Sequence, residues 1–333
     1  MSDLCGLYEI DLSELTRSIE SGARKILVHA PDGLKPLYKC VEAALSSLEA
    51  SLYYSASPGY GACDIPFEEA ESLGVDLLLH LGHLKYFQHG YEPPVRVVYA
   101  PVYRNPSLGA GLLEELARIL EGRGVRVITV SSTLIEAKIR DFIARHLSSI
   151  GFKLYNISSP ILGCLYSHVT RYDEVVDAHL VVAGGVFHPL GLALSSSKPV
   201  LALDPYREEA WWVNSEAYRV LKKRYMRIYE AMNTGNRVGL IIGARIGQYR
   251  PWLVDKLVDL ASRRGYRVYK ITSSYLDQER LIAVDNALGL DFYVVTSCPR
   301  LPIDDLSDFY KPVLTPGEFI MLLTGLDKYI YPW

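Results

Sequence analysis

The chain has 333 residues, which is enough for two or three domains. Hydrophobic residues make up 49% and charged residues 22%, as is typical of a globular protein with a sizeable core. The 35 basic and 38 acidic side chains give a net charge of -3, which excludes the broad cationic field of a nucleic-acid-coating protein. Because the first residues also lack a secretory signal pattern, we expect a cytoplasmic protein without membrane or direct nucleic-acid contacts.

Three consecutive segments of the chain repeat one plan of alternating strands and helices. The first segment, residues 1–105, predicts strands at the following positions: 25–30, 51–57, 75–82 and 95–103. The second segment, residues 106–206, opens with an amphipathic helix at 108–120, followed by these strands: 125–131, 152–158, 179–184 and 199–204. The third segment, residues 207–333, opens with a long helix through 218–232, followed by these strands: 237–243, 266–272, 291–296 and 311–315.

The predicted strands are continuously apolar, and helical patterns such as 135–147 and 253–264 lie between them. Such strands are typical of parallel sheets that are covered on both faces. The predicted fold is therefore α/β, with three pseudo-repeated domains that each contain a small parallel sheet flanked by helices.

The five cysteines are odd in number and far apart, so we expect no disulfide framework. Cys63 and Cys164 follow the second strand of their segments, and Cys298 follows the third strand of the last segment. Cys40 lies in a helical pattern and Cys5 in the N-terminal segment. Ligands bind beyond the carboxyl ends of parallel strands, so three loop thiols could converge on a central 4Fe–4S cluster with one open iron. The alternative interpretation is that all five are inert buried cysteines.

Histidines also gather near predicted strand ends. His80 and His83 end the third strand of the first segment, His89 follows, and His188 occupies the matching loop of the second segment. His80 and His83 could contribute to a zinc site, but strand-end spacing would direct the two side chains to different faces or to neighbouring turns. The pattern favours polar pocket groups or buried histidines with hydrogen-bond partners.

Three loops join strands to helices in the manner of anion-binding sites. They span residues 31–35, 184–191 and 243–250. Backbone amides and a helix N-terminus in such a loop can bind a carboxylate or a phosphate. Each loop could equally be a tight turn with a helix cap. None carries the GxGxxG fingerprint, so a nicotinamide cofactor is not indicated.

Eight short motifs stand in order along the chain: 31–35 (PDGLK), 60–64 (YGACD), 80–83 (HLGH), 185–191 (GVFHPLG), 204–206 (DPY), 247–250 (GQYR), 296–300 (TSCPR) and 311–316 (KPVLTP). Together they closely resemble the archaeal diphthamide synthase family, which performs the first step of diphthamide formation. The resemblance spans almost the whole chain. Leu84 departs from it, because a small hydroxyl residue is expected after the second histidine, and this bears on one local contact.

The resemblance implies a homodimer of three-domain subunits, each with one 4Fe–4S cluster held by Cys63, Cys164 and Cys298. It implies cleavage of S-adenosylmethionine at the bond from sulfur to the methionine γ-carbon. The resulting 3-amino-3-carboxypropyl radical would add to the imidazole C2 of a histidine in elongation factor 2, with methylthioadenosine as by-product. An electron donor is implied as a further partner. The cysteine run of the usual radical S-adenosylmethionine fold is absent.

Polar groups for the methionine or adenosine parts of the co-substrate are predicted at Gly185, His188, Gln248 and Arg250. No residue is assigned as general acid or base. Two alternatives remain open at this point. Quinolinate synthase, a condensing enzyme, also has three pseudo-repeated domains with one cluster cysteine each, but should lack the motifs at 185–191 and 296–300. A non-catalytic subunit that binds elongation factor 2 is the other alternative, although all three candidate ligands are retained.

Overall fold

The computed structural model describes residues 4–86 and 92–332. The chain divides into two compact units, Met1–Ser107 with Ser132–Arg145 and Leu108–Ser131 with His146–Trp333. The division into three domains after residues 105 and 206 stays a prediction. His89 lies outside the described residues.

The strands of the described residues are β1 Tyr8–Ile10, β2 Lys25–His29, β3 Ser51–Tyr54, β4 Leu77–Leu81, β5 Val97–Ala100, β6 Val102–Arg104, β7 Val127–Ser132, β8 Lys153–Asn156, β9 Ala178–Val182, β10 Val200–Asp204, β11 Glu209–Trp212, β12 Arg237–Gly243, β13 Arg267–Ser273, β14 Phe292–Val295 and β15 Val313–Leu314. The α-helices are α1 Ser13–Glu20, α2 Tyr38–Leu45, α3 Phe67–Leu73, α4 Ala110–Glu121, α5 Ala137–Ser149, α6 Ser167–Thr170, α7 Phe187–Ser195, α8 Asn214–Thr234, α9 Pro251–Arg263, α10 Gln278–Leu288 and α11 Pro316–Thr324. Single turns of other helix types lie at Leu4–Leu7, Asp32–Leu37 and Leu301–Asp305.

The first unit contains a four-stranded parallel sheet in the order β3-β2-β4-β5. All of β4, and all of β2 except Lys25, is buried, because both faces of the sheet are covered. The predicted strand 95–103 is wrong in one respect, since the structure breaks it at Pro101. β5 stays in the parallel sheet, whereas β6 pairs antiparallel with β1. Proline has no N–H for the sheet, which explains the break at that position.

The second unit contains two sheets, ordered β8-β7-β9-β10-β11 and β13-β12-β14-β15. All their strands are parallel except β11, an antiparallel edge strand that the sequence did not predict. Helices cover the sheets with apolar faces. α9 begins at Pro251, where a missing N–H costs nothing, and buries Leu253, Val254 and Leu257.

The three parallel sheets share one strand order and one polar tie. In each sheet the first strand lies between the second and the third in chain order. An aspartate before the third strand accepts hydrogen bonds from backbone N–H groups at the start of the first strand. These aspartates are Asp76, Asp177 and Asp291. The hydrogen bonds lower the pKa of Asp76 and of Asp177. The repeated plan of the sequence is thus visible in the backbone.

The expectation that the chain forms no disulfide is wrong. Cys5 and Cys40 are joined, with their Cα atoms 5.6 Å apart. The bond ties the N-terminal turn to α2, which packs in the core of the first unit. The other three cysteines, Cys63, Cys164 and Cys298, are outside any disulfide. Over the described part of the chain, no helix combines the length and apolar character needed to cross a membrane.

Candidate functional site: thiol loops at the carboxyl ends of parallel strands

Cys63 lies in the loop that follows β3 in the first unit, and it is half-buried. Two side chains hold the start of this loop. Glu69 of α3 accepts hydrogen bonds from the hydroxyls of Ser55 and Ser57. The Lys35 ammonium donates to the carbonyl oxygens of Ala56 and Ser57, each at 3.0 Å. The strand end is therefore anchored to two neighbouring elements before the chain reaches the cysteine.

Three histidines form a chain of ring contacts behind the Cys63 loop. The Nδ1 atoms of His29 and His80 are 3.0 Å apart, and His80 Nε2 lies 3.0 Å from His83 Nδ1. The loop glycines fit closely against the two ends of this chain. A Cβ atom at Gly59 would lie 2.8 Å from the His29 ring, and one at Gly61 would lie 3.4 Å from His83. The missing side chains therefore let the loop backbone approach the imidazoles.

The three imidazoles are neutral at pH 7. Burial lowers the pKa of His29 and of His83 to about 4. Burial also holds the pKa of His80 well below its usual range, and charges on its two neighbours act in the same direction. Among residues 4–86 and 92–332, no three His, Cys, Asp or Glu side chains are grouped to hold a metal ion. In the structure these histidines contact one another and the glycines of the Cys63 loop.

Cys164 and Cys298 lie in the second unit, after β8 and β14, and are close enough for their charges to interact. Burial raises the pKa of the Cys298 thiol to about 12. A charge on Cys164 raises this pKa further, whereas the Arg250 guanidinium lowers it. A metal that binds Cys298 must therefore displace a proton, because thiolate is the ligand form.

Two tyrosines border the thiols of the second unit. Charges on Cys164 and Cys298 add to burial in raising the pKa of both Tyr166 and Tyr331. Their rings are 6.2 Å apart, and the Tyr331 hydroxyl donates to the Gly163 carbonyl at 3.3 Å. Both phenols are therefore neutral hydrogen-bond donors beside the cysteine pair.

Arg250 is 1% exposed and supports the loop that carries Cys298. Its Nη1 donates to the carbonyl oxygens of Gln248 at 2.9 Å, Thr296 at 3.1 Å and Ser297 at 2.8 Å. Two of these oxygens belong to the residues just before the cysteine. A buried guanidinium with charge-assisted hydrogen bonds fixes such a loop more firmly than a neutral side chain would.

The loop that contains Gln248 packs tightly on the Cys298 loop. Gln248 is 6% exposed. A Cβ atom at Gly243 would lie 2.6 Å from Ser297 Cβ and 3.0 Å from Gln248 Cβ, so only glycine allows this approach. The sequence-predicted residues Gln248 and Arg250 therefore lie next to the Cys298 loop within one unit.

The two other predicted co-substrate residues lie around the start of α7. The Gly185 N–H donates to Asp204 Oδ2 at 2.9 Å, and its φ of +72° favours glycine. His188 is half-buried with its ring against that of Phe187. Phe187 also fills the space beside Gly163, and the Arg300 guanidinium lies 5.7 Å from its ring centre. That S-adenosylmethionine contacts Gly185, His188, Gln248 and Arg250 stays a prediction.

The donor chemistry of these loops fits an iron–sulfur cluster. The disulfide leaves Cys63, Cys164 and Cys298 as thiols, all in loops at the carboxyl ends of parallel strands. In the described part of the chain, the buried hydroxyl of Tyr166 has no hydrogen-bond partner. This is expected of a donor whose acceptor belongs to a bound group. Sequence reasoning missed this residue, as well as Tyr331 and His29. Tyr166 lies two residues after Cys164, which is a signal that could have identified it.

Parallel sheets with thiol loops at their carboxyl edge define an α/β protein whose cysteines can serve as metal ligands. The chain belongs to the diphthamide synthesis protein family, whose model matches residues 30–331. It is 32% identical over 334 residues to the 2-(3-amino-3-carboxypropyl)histidine synthase of Pyrococcus horikoshii, covering 97% of this chain and 93% of that protein. The synthase of the same name from Methanocaldococcus jannaschii is 25% identical over 338 residues, covering 97% and 92%.

Solved structures show the same fold. The crystal structure of Dph2 from Pyrococcus horikoshii with a 4Fe-4S cluster matches with a TM-score of 0.82 and 29% identity, over 97% of this chain and 93% of that chain. A second crystal structure of that protein matches with a TM-score of 0.83. The predicted family, the mixed α/β fold and the enzyme class, a transferase, are thereby confirmed.

Proposed function

We propose that this protein transfers the 3-amino-3-carboxypropyl group of S-adenosylmethionine to the imidazole C2 of a histidine in elongation factor 2, the first step of diphthamide biosynthesis. The observation that carries the proposal is that the three thiols outside the disulfide are the three cysteines in the motifs on which the sequence resemblance rests. A 4Fe–4S cluster with ligands Cys63, Cys164 and Cys298 would supply one electron for cleavage of the sulfur to γ-carbon bond. Addition of the radical to C2 leaves an adduct radical, which must lose a proton and one electron to restore the aromatic ring, so the electron supplied for cleavage is returned. The net reaction replaces the C2–H bond by a C2–C bond and releases methylthioadenosine and a proton.

The protein's own residues have the task of holding the thiol loops and the co-substrate. Arg250 fixes the backbone before Cys298, and the loop with Gln248 packs on the same segment. We assign Gln248, Arg250, His188 and the backbone near Gly185 to the surroundings of S-adenosylmethionine. Orientation of the co-substrate decides which of its three carbon–sulfur bonds breaks, because each leads to a different product.

The partners follow from the same reaction. Elongation factor 2 is the protein substrate, a homodimer is the expected assembly, and a separate redox protein or small reductant delivers the electron. We place the protein in the cytoplasm, where elongation factor 2 acts.

The test is an anaerobic reconstitution followed by single-turnover assays. Protein loaded with iron and sulfide should bind about four of each per chain. With dithionite, S-adenosylmethionine and elongation factor 2, it should form methylthioadenosine and add the aminocarboxypropyl group to one histidine. 5′-Deoxyadenosine as the main product would contradict the proposed bond cleavage. Binding of elongation factor 2 without modification would indicate a non-catalytic subunit, and quinolinate from iminoaspartate and dihydroxyacetone phosphate would indicate the condensing enzyme.

A further inference from the structure

The hydroxyl of Tyr166 is a buried donor that the proposed reaction does not use. The side chain is 3% exposed and its ring packs in an apolar cluster of the second unit. Among the described residues, no atom forms a hydrogen bond with its Oη. An unsatisfied buried hydroxyl is unfavourable, so native proteins rarely keep one without a reason.

The Tyr166 hydroxyl packs closely against a glycine of α7. Its Oη lies against Gly191 of α7, where a Cβ atom would approach it to 2.1 Å. The Gly191 carbonyl already accepts a hydrogen bond from the Ser195 hydroxyl at 2.8 Å. A glycine at this position therefore makes room for the hydroxyl without offering it a side-chain acceptor.

Polar atoms of another kind lie nearby. Cys164 precedes Tyr166 by two residues in the same loop. The Tyr331 ring, 6.2 Å from that of Tyr166, carries the hydroxyl that donates to the carbonyl of Gly163, the residue just before this cysteine. A protonated thiol is a weak acceptor, whereas a thiolate or an inorganic sulfide is a strong one. The acceptor for this hydroxyl would thus be created when a cluster replaces the thiol protons.

We propose that the Tyr166 hydroxyl donates a hydrogen bond to a sulfur of the bound cluster and thereby makes the cluster easier to reduce. The inference rests on the proposed function, since it needs Cys164 and Cys298 as cluster ligands. A hydrogen bond to sulfur stabilises the reduced cluster more than the oxidised one, because the reduced form carries one more negative charge. Tyr166 is a positioning and tuning residue here.

Two other tyrosines serve as matched comparisons. Tyr331 also borders the thiols, but its hydroxyl already donates to the Gly163 carbonyl, so its removal should affect the cluster less. Tyr155 packs against the same apolar cluster and its ring lies 4.9 Å from that of Tyr172. Tyr155→Phe therefore repeats the chemical change in the same core without a thiol neighbour among the contacts described.

The experiment compares the whole protein with its Tyr166→Phe, Tyr331→Phe and Tyr155→Phe variants after anaerobic reconstitution. Iron and sulfide content should be equal in all four. The midpoint potential, followed by electron paramagnetic resonance, should become more negative in Tyr166→Phe, change less in Tyr331→Phe and stay constant in Tyr155→Phe. A Tyr166→Phe potential equal to that of the unchanged protein, at normal cluster content, would overturn the inference.

A second measurement does not depend on how the variants fold. In the unchanged protein, the reduced cluster should couple to a strongly interacting proton that disappears from the nuclear double-resonance spectrum in D2O. Lack of any such exchangeable proton overturns the inference while leaving the proposed function intact. Failure of the unchanged protein to bind iron and sulfide at all would instead overturn the proposed function, and this inference with it.

Discussion

The loop of Cys63 in the first unit and the loops of Cys164 and Cys298 in the second are supported by different chemistry. Behind Cys63 lies a chain of three neutral histidines, with glycines packed against its ends. Beside Cys298 lies a buried arginine whose charge lowers the pKa of that thiol against the effect of burial. Sheets with one shared strand order therefore carry cysteine loops that are supported by different side chains.

The difference separates what the fold supplies from what local side chains supply. Parallel sheets place each thiol loop at a carboxyl edge, whichever residues lie behind it. The charge near the thiol then depends on those residues. A guanidinium stays positive at every pH at which the protein folds, whereas the imidazoles change their charge in acid. The Cys298 region should therefore respond to loss of one side chain, and the Cys63 region to pH.

The largest expected effect tests whether both regions ligate the cluster. Cys63→Ala, Cys164→Ala and Cys298→Ala should each strongly reduce or abolish the 4Fe–4S absorbance of anaerobically reconstituted protein, because each removes one thiolate. Iron and sulfide analysis gives the measure. Cys5→Ala and Cys40→Ala are the controls, since these residues form the disulfide and should leave the cluster in place. Normal cluster content in any of the first three variants would remove that cysteine from the ligand set.

The next effect concerns the buried cation of the second unit. Arg250→Ala should lower the free energy of unfolding by about 3–5 kcal/mol, because three buried carbonyl groups lose a charged donor and a cavity forms. Denaturant titration measures the loss. Arg263→Ala is the matched control, because that side chain is 73% exposed and pairs with Asp259 on the same helix. Its cost should be about 0.5 kcal/mol or less. An equal cost for both variants would refute the supporting role of Arg250.

Most of the fold and the three candidate ligands could be predicted from periodicity and from the ordered motifs. β7 to β10 and β12 to β15 lie close to their predicted positions, because continuous apolar runs define buried parallel strands. β11 was missed because Glu209–Trp212 has no strand periodicity of its own and pairs only with the edge of a formed sheet. Asp76, Asp177 and Asp291 each lie about 51–54 residues after the backbone N–H group that they bind at the start of the first strand. An aspartate at such a position suggests only a turn, so these hydrogen bonds could not be predicted.

The disulfide and the supports of the thiols could not be predicted, for a different reason. Cys5 and Cys40 are separated by 35 residues, and nothing in their spacing shows that the N-terminal turn lies on α2. His29 lies in the predicted strand 25–30, and its ring partner His80 is 51 positions away along the chain. Contacts of this kind depend on strand register, which local sequence does not specify.

The last of these effects is the pH response of the first unit, which is distributed over the range between two pKa values. Burial lowers the pKa of His29 and of His83 to about 4 in the folded protein, whereas an exposed histidine has a pKa of about 6.5. Between these values the unfolded chain binds protons that the folded protein does not, so the free energy of unfolding decreases as the pH falls from about 6.5 to about 4. Each histidine should contribute on the order of 3–4 kcal/mol to this decrease over the whole range, at about 1.4 kcal/mol for each unit of pKa difference.

His83→Gln should make the pH response less steep, because the amide can still donate to His80 Nε2 but does not titrate. Urea unfolding at several pH values between 4 and 7 measures the slope, and His146→Gln on α5 is the control outside the histidine chain. Arg250→Ala should shift the whole curve downward without changing its slope, since a guanidinium keeps its charge over this range. A slope that is equal in His83→Gln and in the unchanged protein would show that the histidine chain does not set the pH response of the Cys63 region.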